Sequence, residues 1–133
     1  MIIMKNKTGI IDLGLGNIRS VFNALEYLDG NPVYIRSSKD LNKINRVVFP
    51  GVGSFDYGMK LIRSSDIFDN LSRFVTEKKM PFMGICLGMQ LIFEGSDEGK
   101  SKGLCWLKGE FKKFIPKDKL SIPHIGWNKV KII

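Results

Sequence analysis

The residue types best suited to chemistry in this chain gather around one thiol. Residues 81–90 read Pro-Phe-Met-Gly-Ile-Cys-Leu-Gly-Met-Gln, an uncharged run that passes through Gly84-Ile85-Cys86-Leu87-Gly88 into a helical pattern. This G-x-C-x-G is the thiol counterpart of the G-x-S-x-G nucleophile elbow, in which small residues let a strand turn sharply into a helix. Such a turn lifts the Cys86 sulfur to the carboxyl end of a sheet. Amides at the start of the helix then favour thiolate over thiol and can donate to an oxyanion. At this level the alternative is a buried cysteine between two packing glycines.

A second loop, Phe49-Pro50-Gly51-Val52-Gly53-Ser54-Phe55, follows a β-branched run and is expected beside Cys86 at the same sheet edge. Its glycines allow backbone amides to point into the crevice as an anion nest, or else simply serve a tight turn. Gly14-Leu15-Gly16 is a poor dinucleotide signature, because Arg19 stands at the third glycine position and no acid follows at the right distance. No cofactor is expected. His124, in Pro123-His124-Ile125-Gly126-Trp127-Asn128, is the one imidazole available as a general base for Cys86, although a histidine in such surroundings is more often structural. Asp97 and Glu98 read as a solvated loop, and Cys105 beside Trp106 as core. Neither cysteine has a CxxC or CxxH neighbour, so two free thiols and no metal site are expected.

The elements that must position these residues alternate along the chain. Thr8 to Leu13 is strand-like and ends in the Gly14–Gly16 turn, and Asn17 opens a helix with Ile18, Val21, Phe22, Leu25 and Leu28 on one face. Gly30 closes that helix. Strands are expected at Pro32–Arg36, Arg46–Phe49 and Pro81–Ile85, with a short helical turn from Ser38 and two helical pieces at Phe55–Ser64 and Asp66–Glu77, Asp66 as the N-cap. A helix over Cys86–Phe93 and a polar loop over Gly95–Gly103 follow. Beyond them Gly109–Ile115 and Gly126–Ile133 alternate like antiparallel strands joined by a Lys-rich turn at Pro116–Leu120. The prediction is one α/β domain over 1–133, a doubly wound and mostly parallel sheet with a β-rich C-terminal addition.

Composition bounds the function. The chain has 133 residues, 44% hydrophobic and 26% charged, with a net charge of +8. Residues 1–99 carry 12 Lys and Arg against 11 acids, and residues 100–133 carry 9 Lys against 2 acids, so the excess belongs to one segment. That segment has no Arg, and its aromatics fit a strand pattern better than a stacking platform, which argues for solvated surface and against nucleic acid. The uncharged stretch Met80–Phe93 is 14 residues, shorter than the roughly 18 to 20 a spanning helix needs. With no signal-like amino terminus, a cytoplasmic protein without a membrane partner is expected.

The segments GICLGMQLIFEGSDEG at 84–99, FPGVGSFDYGM at 49–59, IDLGLGNIRSV at 11–21 and PHIGWN at 123–128 together resemble class I glutamine amidotransferases. Within that class they are most similar to the glutaminase subunits of imidazole glycerol phosphate synthases, in motif order and over essentially the whole chain. The resemblance implies a flavodoxin-like sheet and a thiol-dependent hydrolysis of L-glutamine, with Cys86 as nucleophile and the oxyanion held by backbone amides near Val52 and of Leu87. It implies that Gly53 and Gln90 bind glutamine, and that Asn17, Trp127 and Asn128 meet a (β/α)8 barrel synthase subunit in a heterodimer. Ammonia would pass to that subunit for imidazole glycerol phosphate and AICAR formation in histidine biosynthesis.

One departure matters. The family's base and its orienting acid come from a His-Pro-Glu stretch near the carboxyl terminus, and nothing in these 133 residues matches it. The chain is therefore expected to be truncated, with Cys86 as its one assigned catalytic residue and no glutaminase activity of its own. Two alternatives stay open: a paralogous subunit supplying ammonia for amidation of a bacterial surface sugar, and a catalytically incomplete scaffold.

Overall fold

The computed structural model describes residues 6–116 and 122–132. Strands β1 (Thr8–Ile11), β2 (Pro32–Ile35), β3 (Arg46–Gly51) and β4 (Phe82–Cys86) form an all-parallel sheet in the order β2-β1-β3-β4. Between them run helix α1 (Ile18–Tyr27), a 3-10 segment (Ser38–Lys43), and helices α2 (Phe55–Ser64) and α3 (Phe68–Thr76); α4 (Leu87–Leu91) follows β4 directly. Parallel neighbours need such crossovers, and their alternation in the sequence is why the sheet was legible there.

The period of two along each strand divides the sheet into two faces. Val47 and Phe49 of β3 join Ile11 and Ile35 on one face, packed with Phe55, Met59 and Ile62 of α2, Leu71 and Phe74 of α3, and Leu87 and Leu91 of α4. Each such side chain contributes about 1.5–3 kcal/mol by leaving water. Ile10 and Val48 are register partners on the other face, the side on which α1 lies against β1 and β2. The row continues to Met83, the partner of Val48 on β4, which is 60% exposed because α1 does not reach that strand.

Several expectations are corrected by packing. Asp66 does not cap α3, whose N-cap is Ile67; its carboxylate instead accepts the Ser38 N–H at 3.0 Å and so ties the start of the 3-10 segment to α3. The helix after Cys86 is five residues, Leu87–Leu91, and not Cys86–Phe93. It stops because residues 103–107 fold back onto its last turn: Leu104 N–H donates to Leu91 O, Trp106 and Leu107 N–H to Ile92 O, and Cys105 N–H to Phe93 O. Carbonyls that a longer helix would have bonded internally are satisfied from outside. Leu28 is exposed, and the left-handed residues beyond α1 are Asp29 and Asn31, not Gly30.

Among the described residues, the antiparallel pair expected after residue 109 does not form. Glu110–Phe111 forms a two-residue strand, β6, that pairs parallel with β5 (Gly95–Ser96). Alternating apolar residues at 109–115 suggested an antiparallel meander, but a neighbouring strand and not alternation decides direction. Residues 126–132 form no strand, and most of the expected Lys-rich turn, 117–120, lies outside the described residues, as does Ile133. Cys105 is exposed, not core; its neighbour Trp106 does the packing, with ring centroids 5.4 Å from Phe82, itself edge-on to Phe49 at 6.5 Å. Among the described residues no helix is long and apolar enough to cross a membrane.

Candidate active site

Cys86 is the last residue of β4 and the N-cap of α4, with φ 53° and ψ −118°. A residue with a Cβ in this region stores on the order of 1–3 kcal/mol, which persists only where the surroundings over-determine it. They do so here. Cys86 is held in register against Gly51 of β3, and a Cβ on Gly84 would stand 2.5 Å from Met89 Cα. A Cβ on Gly88 would collide with the Phe49 carbonyl oxygen. Both glycines of G-x-C-x-G thus let α4 lie against β3 and β4, and the thiol emerges exposed at the carboxyl edge of the sheet. Leu87, next along, is the first residue of α4, where an N–H has no intrahelical acceptor.

The two glycine loops meet beside it. Val52 N–H donates to Leu15 O at 3.1 Å, and a Cβ on Gly16 would press on Val52 Cγ2 at 3.2 Å. Gly14, Gly16 and Gly53 all have positive φ, at 73°, 116° and 118°. The Val52 amide is therefore engaged by Leu15 in this conformation, while the Val52 side chain is exposed. Asn17 spends its side chain locally: its Oδ1 accepts Ser20 N–H and its Nδ2 donates to Ser20 Oγ, starting α1.

One turn beyond Cys86, Gln90 opens onto a cleft of about 690 Å³. Met89, Asp97, Glu98, Phe111, Lys113 and His124 are among the residues lining it. Gln90 Nε2 donates to Glu98 Oε2 at 3.1 Å, so Glu98 is part of this cleft and not merely a solvated loop residue. Sequence reasoning missed it because the seven residues between them are largely irregular and carry no periodicity. Asp97 likewise has specific partners, accepting from Lys113 N–H and from Lys112 Nζ. Those bonds hold its carboxyl below the ordinary aspartate range, the Lys113 N–H contributing most. His124 stands in the cleft wall with Nε2 hydrogen-bonded to the Asn128 side-chain amide at 2.8 Å. Trp127 is fully exposed.

Helix α2 fixes the loop that carries Glu98. Asp56 accepts from Lys100 N–H at 2.9 Å and Ser101 N–H at 2.7 Å, and Arg63, two turns on, donates to the carbonyls of Lys102 and Gly103. The same amides, Ser101 foremost, keep the Asp56 carboxyl below its usual range.

The model of "Glutamine amidotransferase class-I" matches residues 9–130, which include both glycine loops, the elbow and the cleft. The chain belongs to this family. Among similar proteins, "Imidazole glycerol phosphate synthase subunit HisH" of Prochlorococcus marinus (strain MIT 9211) is 42% identical over 130 residues, covering 98% of this chain and 61% of the relative. The subunit of the same name from Cyanidium caldarium is 43% identical over 129 residues, covering 96% and 59%. A solved structure described as "Crystal structure of glutamine amidotransferase" superposes with a TM-score of 0.60 at 26% identity, over 68% of this chain and 47% of that one. This amidotransferase chain thus spans about three-fifths of the length of those HisH relatives.

Proposed function

We propose that this chain is the glutamine-hydrolysing part of an imidazole glycerol phosphate synthase. The observation that carries the proposal is the strained, exposed Cys86 at the elbow, with the Gln90–Glu98 cleft one turn away, in a chain about 40% identical to subunits of that name. The Cys86 thiolate adds to the side-chain amide carbon of glutamine, and the negative charge that develops on the amide oxygen meets the Leu87 N–H. Val52 N–H joins it once its bond to Leu15 opens. As the tetrahedral adduct collapses, the nitrogen takes up the proton that the thiol released, ammonia leaves and a γ-glutamyl thioester remains on Cys86. Water then hydrolyses that thioester to glutamate and restores the thiol.

Gln90 and Gly53 flank the bound glutamine, and the Glu98 carboxylate suits its α-ammonium group. The proton acceptor implied by the family resemblance, in a His-Pro-Glu segment, has no counterpart in these 133 residues, so they are proposed to lack turnover by themselves. Asn17, Trp127 and Asn128 are proposed to face a (β/α)8 barrel subunit that consumes the ammonia in the cytoplasm.

The test is treatment with the glutamine-analogue electrophile 6-diazo-5-oxo-norleucine, followed by peptide mass spectrometry. The expected result is an adduct confined to Cys86 and suppressed by glutamine. Equal labelling of Cys105, or labelling of Cys86 that glutamine leaves unchanged, would overturn the reading.

A further inference from the structure

The cleft onto which Gln90 and Glu98 open is lined as well by residues 111–114 and 122–124, which belong to no element of the main sheet. A wall of that kind must be fastened by particular bonds. Five of them gather on three acidic side chains and the backbone around them. Asp97 N–H donates to Phe111 O at 2.9 Å, and Asp97 Oδ2 accepts from Lys113 N–H at 3.1 Å. Asp97 Oδ1 accepts from Lys112 Nζ at 3.2 Å, and Lys112 also reaches Glu110 Oε2 at 2.7 Å. At the other end of the short β5–β6 pair, Glu94 Oε2 accepts from Gly109 N–H at 2.8 Å.

A two-residue parallel pair is too short to hold two chain segments unaided. Asp97 extends it, since its backbone and carboxylate together continue the pairing through Lys113. Asp97 also precedes Glu98, whose own N–H donates to Ser96 Oγ, so the bonds that fix the wall also fix the direction from which Glu98 meets Gln90.

We infer that Asp97 is a positioning residue for glutamine: it fastens residues 111–113 to the Glu98 loop and so sets the width of the cleft onto which Gln90 opens. This rests on the glutaminase reading above. Asp97 itself touches neither the sulfur nor the reacting amide. Its loss should therefore weaken glutamine binding without changing the intrinsic reactivity of Cys86.

The experiment follows alkylation of Cys86 by iodoacetamide in the 133-residue chain and reads the glutamine concentration that halves the rate. For Asp97→Ala that concentration should rise at least fivefold, with the rate in the absence of glutamine within twofold of the parent. Lys112→Met removes the ion pair but keeps the Lys113 amide bond, and should give a smaller rise. Because Lys112 is a surface side chain, this second variant reports on the same fastening even where Asp97→Ala does not fold. Equal protection of the parent chain and both variants would overturn the inference and leave the glutaminase reading intact. Failure of glutamine to protect the parent chain would overturn that reading, and this inference with it. An equal change in the unprotected rate across the variants would assign Asp97 to general stability and also overturn the inference.

Discussion

The backbone carbonyl of Phe49 occupies the space that a side chain at Gly88 would need. Gly88 lies inside α4, where alanine is ordinarily favoured over glycine by about 1 kcal/mol. If the glycine served flexibility, Gly88→Ala would stabilise the chain. Because the obstacle is backbone, alanine must instead push α4 away from β3, and a loss of about 1–3 kcal/mol in urea unfolding is expected. The same displacement moves Leu87 N–H and Cys86, so electrophile labelling of the thiol should slow by tenfold or more.

Gly16→Ala tests the contact between the two glycine loops. The position has φ 116°, and the added Cβ presses on Val52 at 3.2 Å. We expect a stability loss of about 1–2 kcal/mol from the backbone conformation and altered labelling of Cys86 through the shifted Val52 peptide. Gly126→Ala, where a Cβ meets nothing within 4 Å, is the control expected to change neither measurement.

Asp56→Ala removes the acceptor for the Lys100 and Ser101 amides from an exposed helix position. Hydrogen exchange of those two amides should accelerate at least tenfold while the core amides of β1 and β3 keep their protection. Unchanged exchange at both amides would show that the loop is held by other bonds.

The acid response has a definite sign. Asp56 and Asp97 both have carboxyls held below the ordinary aspartate value by backbone N–H donors. A lowered folded-state value contributes stability that is present above the unfolded-state value, near 3.9, and lost as pH falls through the folded one. The 95–113 region should therefore loosen below about pH 4. Asp97→Asn should lower the melting temperature near neutral pH and leave it little changed near pH 2, so that the acid limb measured between pH 2 and 5 flattens.

Phe82→Ala breaks the edge-to-face chain from Phe49 through Phe82 to Trp106. A loss of about 2–4 kcal/mol is expected for a large aromatic that is only partly buried. Trp106 emission should shift to the red against the constant signal of the fully exposed Trp127.

The parallel sheet was legible because its information is local. Apolar runs at 8–11, 32–35, 46–49 and 82–85, each separated by helical periodicity and glycine turns, leave few arrangements other than a wound parallel sheet. The elbow was legible for a related reason: G-x-C-x-G states its own steric requirement, and both glycines prove to be crowded by backbone. Less was legible after residue 94. Short β-paired segments and irregular loops carry no period, so the parallel direction of β5 and β6, the exposure of Cys105 and the partners of Asp97 had no sequence signal.

The sequence by itself determined which residues turn the chain, which strands are buried and where a thiol must rise from the sheet, because each depends on neighbours a few positions away. Tertiary structure alone decided that Glu98 faces Gln90, that Asp56 and Arg63 of α2 hold the loop between them, and that the Val52 amide is engaged by Leu15. These are bonds between groups 8 to 45 residues apart, 37 in the last case, and they depend on how distant segments of the chain come to lie together. Hydrogen-bond geometry is set at the scale of ångströms, and nothing in composition or periodicity specifies it.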